Sequence, residues 1–234
     1  MSNVLIEYMK KRFTTEPERS TKTKAKFGPV VTISREYGCP AKRLAGMLTS
    51  TLNRLELENY SKNRWKWIGK ELLDEASKEL NLKPETVREI VNTEQKNVLD
   101  DIILSLSHKY YPGDHKIKDT IGHIMRSFAE QGHVVIVGRG GVSITRNIPN
   151  SLHIKIMAPL EWRINDVSKR QMISLGEAEK KIKEIDHKRA LIREFFEKKH
   201  VDNSKFDIIL NYMTIAEEDL ISIIVNMMEH KDMI

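Results

Sequence analysis

Short apolar runs alternate along the chain with longer stretches whose apolar residues recur at helical spacing. Val30 to Ser34 is the first run and reads as a buried strand. Pro40 suits the first turn of a helix, where its missing N–H costs nothing. Ala41, Leu44, Ala45, Leu48, Leu52 and Leu55 then carry that helix. The short aromatic region Asn59 to Trp67 contains a second strand. Three helical patterns follow. The first is marked by Leu72, Leu73, Ala76 and Leu80. The second, opened by Pro84, is carried by Val87, Ile90, Val91, Val98, Ile102 and Leu106. The YPGD turn, Tyr111 to Asp114, interrupts them. The third places Ile117, Ile121, Ile124, Met125 and Phe128 on one face and ends at Gly132, a C′ glycine.

Val134 to Val137, flanked by Gly132 and Gly138, reads as a central parallel strand. Leu152 to Met157 alternates Leu152, Ile154 and Ile156 with His153 and Lys155, which places it nearer an edge. Pro159 starts a helix through Trp162 and Val167. Ser174 and Glu177 spell a capping box for the long helix after them. Phe206 to Leu210 is the last strand. Thr214 and Glu217 spell a second capping box, before a closing helix carried by Leu220, Ile223, Ile224 and Met227. Strands alternating with helices give a three-layer αβα fold around a parallel five-stranded sheet. Ligands of such sheets bind at the carboxyl ends of the strands. The loops that matter are therefore those after Ser34, Val137, Met157 and Leu210.

Length and charge narrow this picture modestly. The 234 residues fit one domain with an insert or a small lid. The balance of 39 Lys+Arg against 33 Asp+Glu favours anionic ligands. Much of that excess lies in the first 29 residues. There, Val4, Leu5, Tyr8 and Met9 suit a short amphipathic helix, and Thr14 to Lys26 reads as a polar linker. A solvated extension is favoured for this arm over a nucleic-acid contact. Cys39 is the single cysteine, so no internal disulfide forms, and a reducing, cytoplasmic compartment is expected. No apolar run approaches the roughly 20 residues of a membrane helix, and Glu7 and Lys10 interrupt any signal-peptide core. A homodimer stays open.

Three constellations could carry chemistry. The loop Arg35 to Lys42, REYGCPAK, follows a strand and precedes a helix. It is either a phosphate cradle of backbone N–H groups, helped by Arg35, Lys42 and Arg43, or a plain turn with Arg35 on a neighbouring carboxylate. Gly138-Arg139-Gly140-Gly141 follows the central strand and would aim Arg139 into the same crevice, where a guanidinium suits bidentate phosphate binding. Arg163 and Arg170, seven apart, share one helix face, as do Asp186, Arg189 and Arg193. Positioned cations and a water-excluding lid are what phosphoryl transfer needs. The competing reading is a pair of exposed helices laced with salt bridges. The eight histidines show no metal-ligand spacing. Cys39 suits packing better than catalysis, since no histidine base can be placed beside it. Trp65 and Trp67 are either a base-stacking platform or core.

Four blocks resemble the cytidylate kinase-like family, relatives of the nucleoside monophosphate kinases in the P-loop superfamily. They are VVTISREYG at 30–38, VVIVGRGG at 134–141, APLEWRI at 158–164 and FDIILN at 206–211. KELLDEASKELNL, from Lys70 to Leu82, resembles the family's stretch after the second strand. The resemblance implies a domain over 29–234, with a helical acceptor-binding insert near 60–120 and a lid near 160–200, behind a basic extension over 1–28. It implies transfer of the ATP γ-phosphate to a nucleotide such as CMP, with Mg²⁺ as cofactor and no ligand assigned to the metal. Arg35, Glu36, Tyr37, Gly38, Cys39, Pro40, Ala41, Lys42 and Arg43 would hold the ATP phosphates. Gly138, Arg139, Gly140, Arg163 and Lys70 would bind the acceptor. Arg139, Arg170, Asp186, Arg189 and Arg193 would be catalytic.

The sequence also departs from the family's pattern. Relatives often read SGG at Cys39-Pro40-Ala41. Laid without gaps on a full GxxxxGK loop, the chain puts Ala41 at the lysine, Lys42 after it and Arg43 at the hydroxyl residue beside Mg²⁺. The DSGxxY acceptor signature is replaced by RWKWIGKEL, so base specificity does not carry over. The alternative is a catalytically degenerate nucleotide- or anion-binding module of the same fold.

Overall fold

The computed structural model describes residues 28–69, 74, 78, 114–197 and 202–234. The N-terminal arm, Lys70, the first two helical patterns after the second strand and most of the YPGD turn lie outside the described residues. β1 (Val30–Arg35) is followed by α1 (Ala41–Glu58), β2 (Lys66–Ile68), α2 (Asp114–Gln131) and β3 (Val134–Val137). Then come α3 (Gly141–Thr145), β4 (Ser151–Met157), α4 (Leu160–Gln171), α5 (Leu175–Glu197), β5 (Ile208–Asn211) and α6 (Glu217–His230).

The sheet is parallel throughout, in the order β2-β3-β1-β4-β5. Its strands are apolar on both sides because both sides are covered. Val31, Ile33, Val135, Val137 and the Leu152-Ile154-Ile156 face pack with α1 and α6. Val30, Val134 and Ile136 pack with α2 and α3 on the opposite face, against Ile192 and Phe196 of α5. The fold class read from alternation is the one observed. Among the described residues, no helix is long and apolar enough to cross a membrane.

Local signals held where short-range chemistry decides. Gly132, at φ +76°, ends α2 as its C′ residue, donating to the carbonyl of Phe128. The Ser174–Glu177 box forms reciprocally: Glu177 N–H donates to Ser174 Oγ (3.3 Å), and Ser174 N–H to Glu177 Oε2 (2.9 Å).

Three expectations are refined by the tertiary structure. β4 lies one strand in from the β5 edge, pairing with β1 and β5, but the face that holds His153 is not open to solvent. Its polar His153 is only 5 % exposed, because Thr32 Oγ1 (2.8 Å) and Ser151 Oγ (3.1 Å) satisfy the two ring nitrogens. The Thr214–Glu217 box does not form. Ala216 is the N-cap, while Glu217 accepts from Tyr212 Oη (2.6 Å) and pairs with Arg43 (2.8 Å). The buried face of α6 is Leu220, Ile221, Ile224, Val225 and Met228, with Ile223 turned outward.

Candidate functional site

At the carboxyl ends of β1 and β3 a cleft of about 320 Å³ opens between the GRGG turn and α5. Its lining is Ser34 and Arg35 from β1, Gly138, Arg139 and Gly140 from the turn, and Ile185, Lys188, Arg189, Ile192 and Arg193 from α5. Five of these ten residues are cationic and none is acidic. The α5 residues recur at i, i+3, i+4, i+7 and i+8, so one face of the helix supplies them.

The turn is shaped for close approach. Gly138 has φ +72°, and a Cβ there would collide with Arg35 Nη1. Gly140 has φ +75°, and a Cβ there would meet the Phe196 ring. The first glycine leaves room for a guanidinium; the second lets α5 seat over the turn. Ser143 Oγ donates to the carbonyl of Arg193 (3.1 Å), tying α3 to α5 at the cleft wall.

The cations crowd one another. Burial first, then the charges of Arg189 and Arg139, push the Arg35 guanidinium down to about 9. Arg189 is lowered by burial, with Asp186 opposing. Arg193 is lowered by burial, and its Nε is buried without a hydrogen-bond partner among the described residues. Lys188 pairs with Glu184 (2.6 Å). Charges of like sign held together in a half-dry cleft favour an anionic ligand, since one anion relieves every repulsion at once.

The loop after β1 has a different character. Glu36 N–H donates to Ile156 O (3.0 Å), Cys39 N–H to Glu36 O (3.2 Å) and Ala41 N–H to Cys39 O (3.0 Å). Tyr37 N–H donates to Asp186 Oδ1 (2.6 Å). Pro40 has no N–H. Arg163, 7 % exposed, clamps the segment. It donates to Asp186 Oδ2 (2.6 Å), Tyr37 O (3.1 Å) and Ala158 O (3.0 Å), and lies 3.4 Å from Glu36 Oε2. Arg189 joins the two regions: its Nη1 donates to Arg35 O (3.1 Å) and its guanidinium lies over the Tyr37 ring.

The fold therefore divides the residues proposed from sequence. Arg35, Gly138, Arg139, Gly140, Arg189 and Arg193 meet at the cleft. Glu36, Tyr37, Arg163 and Asp186 form the adjoining clamp. Arg170 lies on the far side of the loop, donating to Gly38 O (3.0 Å) and paired with Asp166 (2.6 Å). Cys39 and Ala41 are in the core, and burial pushes the Cys39 thiol up to about 12. Pro40 caps α1, Lys42 is exposed, and Arg43 is held by Glu217. Lys70 lies outside the described residues. Trp65 is core, and Trp67 packs against it.

Sequence reasoning missed Ser34, Lys188, Ile185 and Ile192. The last three were findable. Ile185 and Ile192 are seven apart and bracket Lys188 and Arg189 on one face. Ser34 belongs to β1 and carried no signal of its own.

The group implied by resemblance, an ATP polyphosphate with Mg²⁺, fits these two regions unequally. The cleft's guanidinium groups suit phosphate oxygens. The loop suits them less, because the amides of Glu36, Tyr37, Cys39 and Ala41 are engaged within the protein and Pro40 has none. Magnesium does not fit either: the lining offers one hydroxyl, Ser34, and no carboxylate, and Arg43 stands where a metal-side hydroxyl is expected. Among the described residues, no cluster of three or more His, Cys, Asp or Glu could hold a metal ion.

Comparison with known proteins agrees with this geometry at the level of the fold. The chain is similar over most of its length to an uncharacterized protein from Eubacterium ventriosum, at 17 % identity and TM-score 0.59, covering 86 % of this chain and 98 % of that one. It also aligns with shikimate kinase from Bacteroides thetaiotaomicron, at 10 % identity and TM-score 0.48, over 86 % and 98 % of the two chains. Dephospho-CoA kinase from Campylobacter jejuni aligns at 16 % identity and TM-score 0.40, over 87 % and 97 %. No curated protein matches the sequence. The model of the cytidylate kinase-like family matches residues 30–214, from β1 through the turn after β5, and the chain belongs to that family.

Proposed function

We propose that the protein is a nucleotide-kinase-like phosphotransferase whose strand-end cleft holds the phosphate groups of its nucleotide. The observation that carries this reading is the convergence of Arg35, Arg139, Lys188, Arg189 and Arg193 on one cleft with no carboxylate in its lining. Phosphoryl transfer is catalysed mainly by positioning and by neutralising spread negative charge. Arg193 and Arg35 would bind phosphate oxygens, Arg139 would approach across the glycine turn, and Arg189 would couple the cleft to the loop through Arg35 O. Ile185 and Ile192 would exclude water from one wall. In this reading α4 and α5 act as the lid, and no covalent intermediate is needed.

The reaction to test first is transfer of the ATP γ-phosphate to CMP or a related nucleotide. Purified protein with ATP, Mg²⁺ and each common nucleoside monophosphate is expected to form the diphosphate. An Arg193→Ala protein is expected to lose that activity. Absence of turnover with every acceptor would remove the reading.

A second reading, an anion- or nucleotide-binding module without transfer, is favoured by one observation. Among the loop amides that would grip a donor phosphate, those of Tyr37, Cys39 and Ala41 are engaged by Asp186 and by the loop itself. Calorimetry that shows nucleotide binding with no turnover would select it.

A further inference from the structure

We propose that Phe196 is a positioning residue for the cleft: its ring, wedged between Gly140 of the GRGG turn and Gly122 of α2, fixes the spacing at which Arg139 and the α5 arginines face one anion. This rests on the reading that the cleft holds phosphate groups, and adds a residue outside the cleft lining that decides how well it does so.

The helix places Phe196 where this is possible. It lies three residues after Arg193 and seven after Arg189, so it continues the α5 face that lines the cleft. Its ring meets two glycines on opposite edges. A Cβ on Gly140 would lie 2.6 Å from Cδ2 and 3.1 Å from Cε2 of the ring. A Cβ on Gly122 would lie 3.0 Å from Cε1 and 3.7 Å from Cδ1. The shortest of these at each glycine is below the roughly 3.5–4.0 Å at which carbon atoms rest against one another. Glycine at both positions is what lets the ring fill the gap between the turn and α2.

The turn needs such a support. Gly138, Arg139 and Gly140 all have positive φ, at +72°, +57° and +75°. A residue with a side chain holds that conformation at a cost, and keeps it where its surroundings enforce it. The ring against Gly140 is one such constraint on Arg139. Other contacts pull on the same end of α5. Ser143 Oγ donates to Arg193 O (3.1 Å), and Arg146 Nη1 donates to Glu197 Oε1 (2.7 Å). These bonds draw α5 towards the turn and α3. The ring is the close-packed spacer that stops the approach. The spacing of the cations depends on that stop, because a guanidinium holds a phosphate oxygen at about 2.7–2.9 Å and a shift of an ångström breaks the bond.

Phe196 also packs against the apolar cluster of Ile121, Ile124 and Phe128, so a purely structural role is the competing reading. The experiment separates affinity from stability. It is calorimetry of the full chain with inorganic pyrophosphate as the probe anion, read beside urea unfolding of the same proteins. Gly122→Ala is the decisive variant. Alanine favours a helix interior over glycine, which offsets the crowding of the ring, so stability is expected to hold. The added Cβ presses the ring towards Gly140, and affinity is expected to fall about threefold or more. In a Phe196→Leu background the same substitution should cost no affinity. Phe196→Ala is expected to lose about tenfold, as for one charged hydrogen bond, and Phe196→Leu less. Phe128→Ala removes a ring from the same cluster and is expected to lose stability with affinity unchanged.

Affinity that merely follows stability across these variants would overturn the proposal. So would Gly122→Ala or Phe196→Ala proteins that bind pyrophosphate as the native protein does. In either case the phosphate reading of the cleft stands. Native protein that binds no pyrophosphate would remove the phosphate reading, and this inference with it.

Discussion

The loop after β1 and the cleft beside it begin at the same strand end and end in opposite conditions. In the loop, the amides of Glu36, Tyr37, Cys39 and Ala41 are met from inside the protein, by Ile156 O, Asp186 Oδ1, Glu36 O and Cys39 O. In the cleft, five cations gather, and among the described residues the buried Arg193 Nε has no hydrogen-bond partner. A buried polar group without a partner is costly, so a site that keeps one has a ligand as its natural complement. A loop in which these four amides are already satisfied gains less from a phosphate, which would have to displace Asp186 to reach the Tyr37 amide. The difference teaches that the anion site of this chain is built from side chains at the strand ends, and that the loop serves as its rigid frame.

The largest effect that would break this comparison comes from exchanging charge in the two regions. Removing Arg35 and Arg193 together should lower pyrophosphate affinity by about a hundredfold, given roughly 1.5–3 kcal/mol for each charged hydrogen bond. Removing Lys42 and Arg43 together should change it by less than about threefold, because an exposed pair such as Arg43–Glu217 contributes little. Calorimetry measures both, and equal losses would erase the distinction.

Next in size is Gly138→Ala. The new Cβ forces Arg35 to move and holds a non-glycine residue at φ +72°. Affinity should fall about tenfold, with a stability loss of about 1–2 kcal/mol in urea titration. Asp186→Asn should act on the loop in the reverse manner. It leaves Arg163 with Glu36, 3.4 Å away, as its remaining charged partner and should destabilise by about 1–2 kcal/mol, less than a fully buried pair would because Asp186 is partly exposed. Pyrophosphate binding should hold or tighten, since a carboxylate near Arg189 is gone. A loss of binding would show that the loop, too, holds the ligand.

The smallest effect concerns the floor that both regions share. Burial, more than the Asp207 carboxylate can offset, holds His153 below its ordinary value. The unfolded chain therefore binds that proton more readily than the folded one. Stability should be complete above about pH 6.5, the ordinary histidine value, and should fall as pH drops below it. Urea titrations of the native protein and His153→Gln between pH 7 and 5 should diverge in slope. Parallel slopes would exclude His153 as the source.

Much of the fold was legible in the chain. Val134–Val137 between two glycines could only be a buried strand, and it is one. α1 followed its apolar spacing, and Ser174–Glu177 capped as spelled. What misled was polarity inside β4 and at the start of α6. His153 looks like a solvent-facing residue until Thr32, 121 positions away in sequence, supplies its hydrogen bond. Glu217 looks like half of a capping box until Tyr212 and Arg43 claim it. The site was legible in part for the same reason. Arg139, Arg189 and Arg193 carry spacing and position that point to a strand-end crevice. The role of Arg163 is invisible without its partners, because a phosphate-binding arginine and a loop-clamping arginine look alike in sequence.

The sequence by itself determined the order of strands and helices, the parallel sheet and the strand ends at which a ligand belongs, because these follow from periodicity and from glycines and prolines acting on their neighbours. Only the tertiary structure decided which cations face a ligand and which serve the protein. That depends on which carboxylates and amides arrive from distant parts of the chain. Asp186 reaches Tyr37 across 149 positions and fills one amide of the loop. Among the described residues no acceptor reaches the Arg193 Nε, which is left for a ligand to meet.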